Sequence, residues 1–515
     1  MAVVMDRPQA RSIAGQSASN RPVLWAIGFA VIAVGLIAFG WVGPTDSDDM
    51  VYADTAQQWV HQFPFVASGH HGLRHTIVLP MALLFSIFGP NEATLAAPLL
   101  LYLAALLLLV FLCVRRVTDS LTGMLAAALI VLMPIISSGI SIVTTDLPEA
   151  FFNIASVWAF YFAIQRPRWW LFVLSGVLTG LGFITRETTI VMLLMYGIAF
   201  LFGYGGVRKN YLWIGAGFAA VIGLDTLFLF WGTGDPFWRM HMSEKGMAND
   251  SPSTFPQATT VPGLDRFGAI AGPRWLQLPI ILFVDHNFGL FFWVTLPATL
   301  AILRSHGQQG RVARLFGGLG LLWAVVTGYV LLSLWVLPRY EIVTAVALAI
   351  SAAIGFVWLI HRGWQPVVWA AFILLLVSNI ALVGTTDRQP LFGERALVDF
   401  ARNSDGIILT DPNTFSHAGW LLEVNGLSGR VAAGLPRPGA VYFFNNTPRQ
   451  TRKVEWSVKQ PQPGWKQIDR VEETPRWPAR VIGLLRIRSL LPQVLLSKLD
   501  PPTRWAAAYR IPEGG

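Results

Sequence analysis

A chain of 515 residues that is 54% apolar and only 13% charged excludes a soluble globular enzyme and points to a polytopic membrane protein. Its single cysteine, Cys113, lies in an apolar stretch, which excludes an intrachain disulfide and any Cys-based metal site. The formal net charge of +9 is carried mostly from Arg388 onward, away from the apolar bulk.

Apolar runs of about 18 to 25 residues recur along the chain, each long enough to cross a ~30 Å hydrocarbon core. They fall at 23–43, 94–114, 120–140, 147–165, 169–185, 188–206, 211–231, 279–303, 314–336, 340–360 and 364–384. The expectation is a polytopic α-helical protein with about eleven transmembrane helices. The first run follows Arg7, Arg11 and Arg21 without a small-residue cleavage site, so it reads as an uncleaved signal anchor behind a cytoplasmic tail, 1–22. With the N-terminus inside, inner turns carry Arg115, Arg116, Arg166, Arg168, Arg208, Lys209, Arg304, Arg311, Arg314 and Arg362. Short outer connections hold only Arg74, Arg186 and Arg339. That asymmetry sets the topology as N-inside.

Residues 23–387 thus form a transmembrane domain with long outer loops at 44–93 and 232–278, and 388–515 form a soluble domain on the outer face. In that tail GERALVDFARNSDGIILTDPNT reads as helix, Gly break, short buried strand and turn, an α/β pattern. RVIGLLRIRSLLPQVLLSKL mixes Leu with Arg and Lys, which suits the anionic membrane surface or an ordinary packed helix.

Polar residues gather at the outer turns. The first loop opens on TDSDDMVYAD, with Asp46, Asp48, Asp49, Tyr52 and Asp54, and continues into HHGLRH, with His70, His71, Arg74 and His75. Later outer turns carry Asp146 and Glu149, then Arg186 and Glu187, then Asp235, Arg239, His241 and Lys245, then Arg339, Tyr340 and Glu341. Clustered carboxylates repel one another, which raises a pKa or demands a cation. Arg makes bidentate, charge-assisted bonds to phosphate, and a carboxylate suits removal of a proton from an attacking hydroxyl. Both on one face suggest a cavity holding an anionic lipid head beside an acceptor. HH-x-x-x-H is a weak metal pattern, and Asp225, inside the seventh run, needs a partner or a cavity.

In this order the motifs resemble the GT-C fold membrane glycosyltransferases of protein O-mannosyltransferase and aminoarabinose-transferase type. The resemblance rests on Asp48, Asp49 and Tyr52 in the first loop, HHGLRHTIVLPMALLFSIFG, TTDLPEAFF, GVLTGLGFITRET, LDTLFLFWGTGDPFWR and LPRYEIVTAVALAI. It spans residues 23–360. The acidic pair is Asp-Asp where Asp-Glu is frequent in the family, and 70–79 has no Lys-Pro-Pro.

The resemblance implies an inverting glycosyltransferase that uses a polyprenyl-phosphate-linked sugar and a glycan, lipid or protein acceptor. It implies an enzyme of the plasma or bacterial inner membrane working on the extracytoplasmic side, with no nucleic acid partner. Catalysis would fall to Asp48 as base, with Asp49 and Asp146. Tyr52, His71, Arg74, Arg186, Glu187, Arg239, Arg339 and Tyr340 would bind substrate, with Arg74, Arg186 and Arg339 on the lipid phosphate. No residue set reads as a metal site, no cofactor is required, and a divalent metal is left open. The sugar and the acceptor are open too. The alternative, a transporter or lipid flippase, calls for inverted repeats and midplane acids, whereas these acids lie at one surface.

Overall fold

The structure, a computed structural model, describes residues 21–513 except 46, 205–206, 251–272, 333, 335, 385–389, 447–457, 475–476, 485, 487–488 and 490–503. Most of the tail 1–22, Asp46, much of loop 232–278 and most of the Leu/Arg stretch at 480–499 therefore lie outside the described residues.

The segment 44–93, expected as an outer loop, is helical rather than open. After α1 (Arg21–Gly40), helix α2 (Asp48–His61) buries Asp49, Tyr52, Ala53, Ala56 and Trp59, a single helical face. A 3-10 turn, His70–Leu73, leads into α3 (His75–Phe88). Helix α4 (Glu92–Val117) starts on a capping box: Asn91 accepts from the Ala93 and Thr94 amides at 3.0 Å, and Thr94 accepts from the Asn91 amide at 2.9 Å.

Three predicted single spans are divided. The run 120–140 becomes α5 (Ser120–Val131) and α6 (Pro134–Gly139), because Pro134 cannot donate to the preceding turn. After α7 (Asp146–Gln165), α8 (Trp169–Thr185), α9 (Ile190–Leu201), α10 (Tyr211–Thr233) and α11 (Trp238–Asp250), the run 279–303 also splits. It forms α12 (Arg274–Phe283) and α13 (Phe291–Leu303), divided at a turn where Asp285 accepts from the Asn287 amide at 2.8 Å. The run 314–336 ends early: α14 (Gly307–Val325) relaxes into a π turn, Val326–Val330. Arg274 caps that end, donating to the carbonyls of Gly328 (2.9 Å), Leu331 (2.6 Å), Leu332 (3.0 Å) and Leu334 (3.0 Å). A short 3-10 turn, Pro338–Glu341, opens α15 (Ile342–His361), and α16 (Gln365–Gly384) follows.

Six helices among the described residues are apolar and long enough to cross a membrane by length and composition, and seven apolar helices are shorter. Helices α7 and α15 are buried along most of their length. Helices α8 and α10 touch backbone to backbone, since a Cβ on Gly176 would lie 2.0 Å from the Ile214 carbonyl oxygen and one on Gly217 would lie 2.2 Å from that of Val173. The small-xxx-small spacing of GVLTG thus marks a close crossing. Gly176→Leu is expected to cost about 3 kcal/mol or more by overpacking, read as a lowered Tm in detergent. Gly215→Leu, which meets open space, is expected to leave Tm unchanged.

The C-terminal region forms α17 (Phe392–Asn403), β1 (Ile408–Thr410), α18 (Pro412–Val424), β2 (Val431–Ala433), β3 (Val441–Asn445), β4 (Lys466–Glu472), α19 (Trp477–Leu484) and β5 (Trp505–Arg510). The sheet order is β2-β1-β3-β5-β4, with β2, β1 and β3 parallel and β5 antiparallel to its two neighbours. The residues read as a turn after β1 begin α18, capped by Asp411, which accepts from the Asn413 and Thr414 amides at 3.0 Å. Arg395 of α17 pairs with Glu92 at 2.6 Å, and Glu423 of α18 accepts from Gln57 of α2 at 3.4 Å. Trp477 of α19 meets Phe39 of α1 edge to face, ring centroids 4.9 Å apart.

Candidate active site

The two acids that open α2 have different surroundings. Asp49 is fully buried and accepts from the Thr45 and Ser47 amides, each at 2.6 Å. It folds the chain entering the helix, as an N-terminal cap does. Burial pushes its pKa up, and its backbone donors only partly offset this. Asp48 is partly exposed and faces basic side chains: His71 Nε2 lies 3.5 Å from Oδ1 and Arg339 Nη1 lies 3.3 Å from Oδ2. Burial alone would raise its pKa, but the His71 hydrogen bond and the charges of Arg339, His71 and Arg74 outweigh it and hold the carboxyl below the usual range.

The 3-10 turn 70–73 sets the basic side chains against α2. Arg74 donates to the Tyr52 hydroxyl. Burial pushes the Tyr52 phenol up to about 12, so it stays protonated. The His71 ring meets the Tyr52 ring at 5.8 Å. His70 lies against His71, ring centroids 3.8 Å apart, and burial lowers its pKa to about 4, which leaves it neutral.

Behind the turn, Asp225 of α10 finds its partners within the protein. Arg239 of α11 grips its carboxylate with Nε–Oδ2 at 2.7 Å and Nη2–Oδ1 at 2.9 Å, and His75 Nδ1 lies 3.1 Å from Oδ1. Arg239 also donates to the Leu73 carbonyl at 2.7 Å. The structure therefore engages Arg239 with Asp225 and the turn rather than with Asp48. Glu187 accepts from Ser243 of α11 at 2.8 Å.

Opposite, α7 begins with Asp146, which binds Arg186 through Oδ1 while its buried Oδ2 has no hydrogen-bond partner. Glu149, one turn on, lies 3.9 Å from Arg186 and accepts from the Thr188 and Thr189 hydroxyls. The Arg186 guanidinium stacks on the Tyr340 ring at 3.9 Å, a cation–π contact. The charges of both Asp48 and Asp146 act on Arg339, which links the two acidic helix starts. Glu341 is buried beneath, accepting from Thr327 and Thr344 at 2.8 Å each.

Asp48, Tyr52, His71, Arg74 and Arg339 thus come together, with Asp146, Arg186 and Tyr340 joined through Arg339. Glu149, Ser243 and the Thr188–Thr189 pair join these contacts through hydrogen bonds, and sequence reasoning had given them no role. Only the helical spacing of Asp146 and Glu149 signalled one of them. Guanidinium groups already answer Asp48 and Asp146, and no group of three His, Cys, Asp or Glu able to hold a metal occurs among the described residues.

The fold is the GT-C fold of membrane glycosyltransferases, the architecture of a multi-pass membrane protein, as the sequence motifs had indicated. Residues 76–229 match the family model described as dolichyl-phosphate-mannose-protein mannosyltransferase. The oligosaccharyltransferase of Archaeoglobus fulgidus superposes with a TM-score of 0.52 at 15% identity, over 80% of this chain and 64% of that one. The chain thus spans less than two thirds of that enzyme. ArnT from Cupriavidus metallidurans bound to undecaprenyl phosphate superposes with a TM-score of 0.51 at 12% identity, over 80% of this chain and 76% of that one. The Archaeoglobus enzyme AglB, in complex with an inhibitory peptide and a dolichol-phosphate, gives a TM-score of 0.50 at 14% identity, over 81% and 64%. No curated protein sequence matches the chain.

Proposed function

We propose that the chain is an inverting glycosyltransferase that moves a sugar from a polyprenyl-phosphate donor to a protein, lipid or envelope-glycan acceptor at the outer face of a bacterial inner or plasma membrane. One observation carries this reading. Beside Asp48, the guanidinium groups of Arg74 and Arg339 each keep a buried Nε without a partner, and Asp146 keeps a buried, unpartnered oxygen. Free donors suit phosphate oxygens, and a free carboxylate oxygen suits the hydroxyl or amine of an acceptor. The lipid phosphates bound by ArnT and AglB support the same reading. About eleven spans, an N-terminus inside and a soluble domain from 388 on the outer side belong to it.

In this mechanism Arg74, Arg186 and Arg339 hold the donor phosphate, with Tyr52 and His71 shaping the pocket. Asp48 takes the proton from the acceptor hydroxyl. The acceptor oxygen bonds to the anomeric carbon, and the bond from that carbon to the phosphate oxygen breaks with inversion, releasing lipid phosphate. The cations stabilise charge developing on the phosphate. A donor phosphate competing for Arg339 weakens its pair with Asp48 and makes the carboxylate a stronger base once the donor is bound.

The test is transfer by purified protein in nanodiscs, with a panel of polyprenyl-phosphate sugars and an envelope acceptor fraction. Sugar gained on acceptor as donor is lost supports the reading. Donor translocated into liposomes without turnover defeats it in favour of a flippase. EDTA is expected to leave the rate within about twofold, because Arg339 and Arg186 already supply the positive charge that a metal Lewis acid provides elsewhere.

A further inference from the structure

Helix α11 presents one face to the basic turn. Trp238 Nε1 donates to the Ala67 carbonyl at 3.1 Å, Arg239 to the Leu73 carbonyl at 2.7 Å, and Ser243 to Glu187 at 2.8 Å. One turn further, Gly246 is buried against His70, where an added Cβ would lie 2.3 Å from Nδ1, 2.6 Å from Cε1 and 2.8 Å from Cγ. Positions 239, 243 and 246 recur at helical spacing, so these contacts belong to one stripe. The His70 ring in turn lies on His71, and His71 bonds Asp48.

We propose that α11 is a positioning brace for the His70–Arg74 turn, and that Gly246 sets where the His70–His71 pair stands relative to Asp48. The proposal rests on the donor-phosphate role of that turn. Arg239 holds the Leu73 carbonyl before Arg74, and Asp225 holds the His75 ring after it. Gly246 leaves the gap that the His70 ring fills. Any side chain there must push the ring, and with it His71, while the helix itself is strengthened because Ala is a better helix former than Gly.

Gly246→Ala therefore separates position from stability. Its Tm is expected to hold or rise while kcat/KM for the donor falls about tenfold or more, since a ~1 Å misplacement near reacting groups costs up to about a hundredfold. Trimming the ring makes room, so Gly246→Ala/His70→Ala is expected to match His70→Ala alone. Wild-type kcat/KM in Gly246→Ala overturns the proposal, and so does a double variant more impaired than His70→Ala alone. If wild type transfers no sugar from any donor, the transferase reading falls. The brace is then read from binding of undecaprenyl phosphate alone to the same variants: weakened binding in Gly246→Ala, relieved in the double variant, supports it, and equal affinities overturn it.

Discussion

Asp48→Asn is expected to lower kcat by about 10²–10⁴-fold, the usual contribution of a positioned general base, with Tm unchanged. The carboxylate is partly exposed, and its partners Arg339 and His71 reach solvent, so losing these pairs costs the fold about 1 kcal/mol or less. Asp49→Asn is the counterpart. It removes charge-assisted bonds to two backbone amides, so Tm falls by an amount corresponding to ~1 kcal/mol while transfer drops less. The pH profile carries a further sign. His71, Arg339 and Arg74 hold the Asp48 pKa below the ordinary range against its burial, so in the free enzyme its base form persists to lower pH than an ordinary Asp. The acid limb of kcat/KM then lies below the usual carboxylate range, and Arg339→Ala moves it upward. Single-turnover rates and far-UV melts of the variants across pH check both expectations. Equal kcat in wild type and Asp48→Asn would move the base to another residue.

Arg186→Met is expected to show the largest loss of stability, about 3–5 kcal/mol, because it leaves buried acids without their cation. Asp146 and Glu149 are both 2% exposed, and Arg186 is the cation that answers them. Transfer is lost as well, since the guanidinium stacked on Tyr340 belongs to the proposed phosphate set. Adding Asp146→Asn removes one stranded charge and is expected to recover much of the Tm but none of the rate. Thermal melts in detergent beside donor turnover separate the two effects. A single variant with wild-type Tm would mean the pair is not a buried anchor.

The membrane character, the order of the motifs and the acidic and basic turns were legible because hydropathy and charge are local signals that survive without coordinates. The breaks in three spans were partly legible, in Pro134 and in the Asp285–Asn287 turn, but a continuous apolar run hides them. Helix α2 was missed as a helix because its mixed composition over 48–61 reads as loop, although Asp49, Tyr52, Ala56 and Trp59 share one buried face. Asp225 was legible as a residue in need of a partner. That the partner is Arg239 was not, since an Arg facing a ligand and an Arg facing a buried acid look identical in one dimension. Gly246 carried no signal at all, because its meaning is the ring of a residue on another element.

The Asp225–Arg239 pair also bears on how the chain enters its membrane. The acid lies near the middle of α10 and its cation arrives only with α11, 14 residues later. A lone Asp at the centre of an inserting helix costs about 2.5–3.5 kcal/mol. Helix α10 is therefore expected to insert less favourably alone than together with α11. The 70–75 turn, made much earlier, already offers His75 to the same carboxylate. Residues far apart in order of synthesis thus share one carboxylate, and the 70–75 turn has its full set of contacts only with α11 in place.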